Sequence, residues 1–396
     1  MKLFLIKLGK VIGIIKREGI VHGGKRVVKS FASLIALASQ IGKKGDVLFV
    51  LGGVGDSSLY RGFNVAEELR IHGFKCTVIV QDTPFLSRFV KNFKVFVFHR
   101  TLYTSSVEEM IKKIKEQHKE IIFETDDLVH DPKYLKHMDY YKVMSPLEKK
   151  LYENGVGGEI LQDSYVEICT TTTEFLKSEL EKVGKKVFLV RNKINDEEFE
   201  VAEKLYAERA GGKNEGAINI GYFSGTISHN KDFATVIDAL VEIMDKYENV
   251  NLYLAGPLET DNILNKFGDR IKRLKFVPRK ENYANISQMD INLAPLEIGN
   301  PFCEAKSELK FFEAGAVGVP TVAAATQTFI DVIADGVDGF VARDTEEWIN
   351  KIDVLISSKH KREEMGGKAR EKVVKMYSNK NSNNVEYYDY LRSKIA

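Results

Sequence analysis

Asp46-Val47-Leu48-Phe49-Val50-Leu51-Gly52-Gly53-Val54-Gly55-Asp56-Ser57-Ser58 is an apolar run that breaks into glycines and then into helix-capping residues. Five consecutive apolar residues bounded by a glycine turn predict a strand buried on both faces. Asp56, Ser57 and Ser58 can cap a helix that runs to about Arg70, and Gly73 supplies its stop. A second apolar run follows at Cys76–Val80. Strand, glycine loop, helix and strand make a βαβ unit, whose parallel pairing requires the crossover.

The pattern continues in both directions from that unit. Apolar runs at Val95–Phe98 and Ile121–Phe123 each follow a helix-like stretch, Thr170–Thr173 leads into a helix over Glu174–Lys182, and Phe188–Val190 closes the first half. Residues 196–216 are polar and end in Gly211-Gly212-Lys213-Asn214-Glu215-Gly216, which predicts a linker. The alternation then restarts. Strands are expected at Ile218–Phe223, Val250–Ala255, Leu274–Val277, Ile291–Leu293 and Thr321–Ala324. Helices are expected at Lys231–Tyr247, Ser307–Ala316 and Glu346 to about Met376. Two successive sets of alternating strands and helices predict two Rossmann-like, doubly wound parallel-sheet domains, over 46–195 and 217–377. Their ligand crevices lie at the carboxyl ends of the strands, facing a cleft. Residues 378–396 are expected to form a helix returning to the first domain.

Composition bounds the chemistry. The 396 residues suit two ordinary domains, and 44% hydrophobic with 29% charged residues is a globular balance. Cys76, Cys169 and Cys303 form neither a CxxC pair nor a disulfide framework, which points to a reducing compartment. The net charge of +2 conceals an asymmetry. Residues 1–46 carry ten Lys or Arg against Glu18 and Asp46, a balance of +8 that leaves −6 for the rest. Within residues 1–18, Phe4, Leu5, Leu8, Val11, Ile12 and Ile15 fall within a helical arc of roughly 120°. Lys2, Lys7, Lys10, Lys16 and Arg17 lie opposite. Residues 1–45 therefore form a basic amphipathic extension, with 1–30 meeting an anionic membrane surface or docking on its own domain. The expected location is cytoplasmic, peripheral at the inner membrane face. Nothing in the sequence points to nucleic acid, and no zinc-ligand spacing is present.

Three clusters can carry chemistry. In the first, the loop from Gly52 to Ser58 lets backbone N–H groups approach an anion, with Gly55 and Ser58 at the helix start and Arg61 one turn on. Ser58 occupies the place of the third glycine of a dinucleotide fingerprint, which disfavours an NAD-dependent enzyme although Asp82 sits where a ribose-binding acid belongs. The second cluster is Phe123-Glu124-Thr125-Asp126-Asp127-Leu128. Its adjacent acids Asp126 and Asp127 either face the cleft or cap the next helix. His99 and Arg100, at another strand end, are candidates to touch an acceptor.

The third cluster is Asn300-Pro301-Phe302-Cys303-Glu304-Ala305-Lys306-Ser307-Glu308-Leu309-Lys310-Phe311-Phe312-Glu313-Ala314-Gly315-Ala316. Lys306 and Lys310 are spaced i,i+4 at a helix start, which makes a diphosphate site, and Glu313 one turn on can accept from a ribose diol. Ser307 lies between the two lysines. Lys231, after the strand end at Phe223-Ser224-Gly225-Thr226, can neutralise a departing phosphate.

Over about 215–375 the sequence resembles the retaining GT-B glycosyltransferases of family 4, the "glycosyl transferases group 1" type. Gly225 to Lys231 is similar to the family's phosphate-contacting loop. Glu313-Ala314-Gly315-Ala316-Val317-Gly318-Val319-Pro320-Thr321 resembles its E-A-x-A-x-G-x-P-V/T segment, and Gly336-Val337-Asp338-Gly339-Phe340-Val341 its late turn and strand. Leu59–Asn64, Glu124–Leu128 and Thr171–Glu174 carry a weaker likeness in the first half. The resemblance implies transfer of a sugar, with retention and without metal, from a nucleotide-sugar donor to a glycan or lipid-linked acceptor. It makes Glu313 the ribose-binding glutamate and Lys231 the diphosphate lysine. Gly225, Thr226, Lys310 and Ser307 join the donor site, and Lys231, Lys306 and Glu304 the catalytic set. Ala305 stands where the family's first glutamate belongs, with Glu304 one residue away, and Thr226 stands in place of an arginine that Lys306 and Lys310 can replace. The nucleoside-diphosphate sugar is a co-substrate, and no cofactor is expected. A non-catalytic sugar-binding or scaffold relative, or a nucleotide-sugar-modifying enzyme, is the alternative.

Overall fold

The structure is a computed structural model that describes residues 42–138, 141, 144, 146–210, 216–224, 230–256, 258, 262–275 and 277–396. The amphipathic extension up to residue 41, and the candidate donor residues Gly225 and Thr226, lie outside the described residues. The chain divides into two compact units. One is formed by residues up to Arg191 together with Asn383–Ala396, and the other by Asn192–Ser382.

The first unit is built on a six-stranded parallel sheet with strands β1 (Val47–Leu51), β2 (Cys76–Val80), β3 (Val95–His99), β4 (Glu120–Glu124), β5 (Ile168–Thr171) and β6 (Lys186–Leu189). Their spatial order is β2-β1-β3-β4-β5-β6. Every residue of β1 is buried, because helical crossovers cover both faces of a parallel sheet. One core layer gathers Leu48, Val50, Phe96 and Phe98 with Met110 and Ile114 of the Ser105–Glu116 helix. The opposite layer gathers Val47, Phe49 and Leu51 with Leu69, Phe188, Tyr387, Tyr388 and Leu391. The last three belong to the Val385–Ile395 helix, which Asn384 ties down by donating from Nδ2 to the Leu189 carbonyl at 2.9 Å.

The second unit repeats the plan with β7 (Ile218–Phe223), β8 (Val250–Ala255), β9 (Ile271–Leu274), β10 (Ile291–Ala294), β11 (Thr321–Ala324) and β12 (Phe340–Ala342). Their order is β12-β11-β10-β7-β8-β9, all parallel. Both units are thus Rossmann-like doubly wound sheets, the two-domain GT-B plan. Each reverses strand order once, between β1 and β3 and between β7 and β10, and ligand crevices of open α/β sheets form there.

Three expectations need correction. Residues 196–210 are not linker but a helix, Asp196–Ala210, whose Glu198 carboxylate accepts twice from Arg279 at 2.8 Å. A strand not expected from the sequence stands at Ile168–Thr171, and Thr173 then caps the expected helix, observed at Glu174–Glu181. The strand expected at Leu274–Val277 lies three residues earlier, at Ile271–Leu274 on the sheet edge.

Candidate functional site

In the first unit the switch point is framed by the ends of β1, β3 and β4. The Gly52 N–H donates to the His99 carbonyl at 2.9 Å. A Cβ on Gly52 would stand 1.8 Å from the Arg100 carbonyl oxygen, so this crossing admits glycine alone. Gly55 accepts from the Leu59 N–H at 2.9 Å and so starts the helix, while the Ser58 hydroxyl donates to the Gly53 carbonyl at 2.8 Å and braces the loop. The helix begins over Asp56–Ser58, widens to a π-helical turn over Leu59–Asn64 and resumes over Val65–Ile71.

The polar centre is a chain of side chains. Ser57 Oγ donates to Asp126 Oδ2 at 2.7 Å and lies 2.9 Å from His99 Nε2. Because the single hydroxyl proton is given to Asp126, the His99 contact requires Nε2–H as donor and leaves Nδ1 bare. His99 Nδ1 is buried without a hydrogen-bond partner, and burial pushes the ring's pKa down to about 3. The imidazole is therefore neutral. Arg100 Nε donates to Asp126 Oδ1 at 2.6 Å, and a weaker contact of 3.4 Å reaches Asp127 Oδ2. Burial acts to raise the Asp126 pKa, but Arg100 and the Ser57 hydroxyl outweigh it and hold the carboxyl well below its usual range. Asp127 also caps the next turn, accepting from the Leu128 N–H at 2.8 Å.

Arg61 requires a correction. It does not face a ligand: it is fully buried, bidentate to Glu124 at 2.8 and 2.9 Å, and donates to the Val190 carbonyl at 2.7 Å. Burial works against both charges, and the pairing with Glu124 raises the Arg61 pKa despite it. Glu124 also accepts from the Thr170 hydroxyl. Sequence reasoning passed over Ser57 and Glu124 as functional side chains. The available signal was an acid at the end of an otherwise apolar strand, which when buried demands a cation elsewhere in the chain.

In the second unit the switch point collects the third cluster. Lys310 Nζ donates to the Phe223 carbonyl at the end of β7, at 2.9 Å, and lies 5.4 Å from the Tyr222 ring centroid. Burial pulls the Lys310 ammonium's pKa down, Glu313 pulls it back, and Lys306 adds to the lowering. Glu313, in the Leu309–Ala316 helix, and Lys306, just before it, thus both act electrostatically on Lys310. Lys231 is exposed in the short Asn230–Ala234 helix, beside the buried Asp232.

Glu304 and Ser307 are engaged differently from expectation. Glu304 Oε1 accepts from the Gly299 N–H at 2.9 Å and Oε2 from the Gln327 N–H at 2.8 Å. Its carboxylate thus joins the loop at Gly299 to the start of the Gln327–Val332 helix. Ser307 Oγ accepts from Asn192 Nδ2 at 2.8 Å. Asp232, Glu297 and Cys303 bring potential ligand atoms within 4.8 Å of one another. The Cys303 thiol, however, donates to Asp232 Oδ1 at 3.2 Å, and burial with that acid beside it pushes its pKa up. A protonated thiol is a poor metal ligand.

Residues 218–358 match the profile of the family described as "Glycosyl transferases group 1". Among solved structures, a glycosyltransferase from Rickettsia africae is 16% identical over 89% of this chain and 99% of its own, with a TM-score of 0.59. HepE of Anabaena, solved with UDP and glucose, is 14% identical over 88% of this chain and 100% of its own, at 0.57. Sucrose-phosphate synthase from Thermosynechococcus elongatus is 13% identical over 88% and 98%, also at 0.57. No curated protein matches in sequence. At these identities the structural likeness is one of fold, and the family profile falls on the unit that carries the lysine cluster. The chain has the two-sheet fold of these GT-B glycosyltransferases, and residues 218–358 of its second unit match the glycosyl transferases group 1 profile.

Proposed function

We propose that this chain is a retaining, metal-independent transferase of family 4 that moves a sugar from a nucleoside-diphosphate donor to a glycan or lipid-linked acceptor. The observation that carries the reading is Lys310, held at the end of β7 at the strand-order switch, inside the segment matched by the family profile. Lys306, Lys310 and Lys231 neutralise the diphosphate as it departs, and the amino end of the Leu309–Ala316 helix adds its dipole. Glu313 takes the ribose diol. Gly225 and Thr226, which lie outside the described residues, are assigned to the phosphates by resemblance. In the transfer, the bond from the anomeric carbon to the diphosphate oxygen breaks and a bond to the acceptor hydroxyl oxygen forms. The hydroxyl proton leaves with the diphosphate.

The first unit takes the acceptor, through the edge that carries Ser57, His99, Arg100, Asp126 and Asp127. Arg100 and Asp126 hold opposite charges in a fixed pair, and a neutral His99 offers a hydrogen bond without adding charge. Residues 1–30 place the protein on an anionic membrane at the cytoplasmic face. Among the described residues no helix is long and apolar enough to cross a membrane.

HepE was solved with UDP and with UDP-glucose, so uridine donors come first in testing. The decisive measurement is a thermal-shift screen of UDP, GDP, dTDP, ADP and CMP, with NAD as the contrast. A ligand at a hundred times its dissociation constant adds about 2.7 kcal/mol of stability. One nucleoside diphosphate is expected to stabilise the protein, and Lys306→Ala to abolish that response while EDTA leaves it intact. Stabilisation by NAD alone would overturn the reading.

A further inference from the structure

Lys306-Ser307-Glu308-Leu309-Lys310 places an acid between the two lysines assigned to the diphosphate. Glu308 is also the residue from which the Leu309–Ala316 helix starts, its carbonyl accepting from the Phe311 and Phe312 N–H groups at 3.0 and 3.1 Å. A carboxylate at a helix start is drawn to the helix's unpaired N–H groups and to the positive end of its dipole. There it would take the place of a phosphate and offset the charge of both lysines. In this chain the Glu308 side chain makes no capping hydrogen bond to the helix. Glu308 is fully buried, while Lys306, Ser307, Leu309 and Lys310 around it are half-buried.

Tyr377 holds the acid inward. Its hydroxyl donates to Glu308 Oε1 at 2.8 Å, and neither residue is exposed at all. The Tyr377 ring stacks on Phe312, with 4.9 Å between centroids and 23° between planes. The helix therefore supplies both the acid and the ring that fixes its donor. The backbone of Tyr377 is fixed as well, because its carbonyl accepts from the Ile194 N–H at 2.8 Å, and the Ile194 carbonyl accepts from the Asn379 N–H at 3.2 Å. Just before Ile194, Asn192 Nδ2 donates to Ser307 Oγ at 2.8 Å. The turn between the lysines is thus gripped by segments from the two ends of the unit, whose first and last residues are Asn192 and Ser382. A buried carboxylate that loses its donor is strongly destabilised, and it relaxes towards water and the nearest cations.

We infer that Tyr377 is a positioning residue of the donor site: it withholds the Glu308 carboxylate from the amino end of the Leu309–Ala316 helix, and so leaves that end, with Lys306 and Lys310 beside it, to a diphosphate. The inference rests on the reading of this cluster as the diphosphate site. It gives the acid between the lysines a function that its place in the sequence does not suggest.

The test is calorimetric titration of the full chain with UDP and UMP, and with the corresponding guanosine, thymidine and adenosine pairs, taking the pair that wild type binds most tightly. The ratio of monophosphate to diphosphate dissociation constants isolates what the helix end and the lysines contribute. A partly unfolded fraction weakens both ligands alike and leaves that ratio unchanged. Tyr377→Phe keeps the stack on Phe312 and removes only the donor, and the ratio is expected to fall about tenfold. Glu308→Gln in the same background removes the charge and is expected to restore the wild-type ratio, which lost packing would not allow. A Tyr377→Phe ratio equal to that of wild type, or one that Glu308→Gln fails to restore, overturns the inference and leaves the diphosphate reading standing. A wild type that binds none of these nucleotides, or shows no preference for the diphosphate, overturns that reading and the inference with it.

Discussion

His99 shows how a single residue links burial, tautomer and stability. The Ser57 hydroxyl is committed to Asp126, so His99 must donate from Nε2, and its Nδ1 has no hydrogen-bond partner. A charged ring in that position would bury a second proton beside Arg100 and Arg61, both of which lower its pKa after burial itself has done so. The folded pKa of about 3 lies below the ordinary 6.5. As pH falls below 6.5 the unfolded chain takes up a proton that the folded chain refuses, so stability is full above 6.5 and drains away towards 3. The slope contributed is at most about 1.4 kcal/mol per pH unit. His99→Gln retains a donor towards Ser57 and removes the titration. Urea midpoints measured from pH 7.5 down to 5 are expected to fall more steeply in wild type than in this variant, as an order-of-magnitude effect of one group. Parallel curves would refute the assignment of a neutral, buried imidazole. The Arg61–Glu124 pair, in contrast, shows where residue-level sequence reasoning stops. Spacing on a helix says which residues share a face, but Arg61 turns inward because Glu124 lies 63 positions away, and no local pattern announces that partner.

At the scale of elements, legibility followed burial on both faces. The runs of β1, β2, β7, β8 and β11 coincide with the observed strands because strands of a parallel sheet covered on both faces are rich in apolar residues, even at the edge position of β2. Two strands escaped for opposite reasons. In β5, Thr170 and Thr171 are buried only because their hydroxyls donate to Glu124 and to the Thr125 carbonyl, a compensation invisible in composition. In β9, Lys272 and Arg273 are exposed on the sheet edge, so the apolar run is interrupted. The charged stretch at 196–210 looked like linker, yet Asp196, Glu197 and Glu198 favour the first turn of a helix. One element-level contact reverses an expectation from helix propensity. Gly366 lies within the Lys359–Met376 helix, where alanine is ordinarily better by about 1 kcal/mol. A Cβ there would meet the Gly318 carbonyl oxygen at 2.2 Å, against backbone that a side-chain rotation cannot relieve. Gly366→Ala is expected to destabilise the second unit by about 1–3 kcal/mol. Chemical denaturation decides it, and a variant as stable as wild type would show that the helix can move away.

At the scale of the molecule, the family profile and the lysine cluster both fall within the unit Asn192–Ser382, whereas the first unit is assembled from two separated stretches. That discontinuity makes the last fourteen residues a structural necessity for a sheet that begins more than three hundred positions earlier. Tyr387, Tyr388 and Leu391 are at most 2% exposed and pack with Val47, Phe49 and Phe74. Tyr388 stacks on His72 at 4.3 Å between ring centroids and donates to the Glu68 carboxylate. Three buried side chains of this size stabilise by about 1.5–3 kcal/mol each before the cost of ordering the helix. Their sum is comparable with the whole stability of a typical domain. A chain ending at Asn383 is therefore expected to lose the first sheet while keeping the second, since none of these contacts involves β7–β12. Hydrogen exchange followed by mass spectrometry separates the outcomes strand by strand. Loss of protection over β1–β6 with protection retained over β7–β12, and with nucleoside-diphosphate binding still present, confirms two cores of independent stability. Protection lost from both sheets together would mean that the second unit draws its stability from the first, and protection retained in both would mean that the first core stands without its carboxyl-terminal helix.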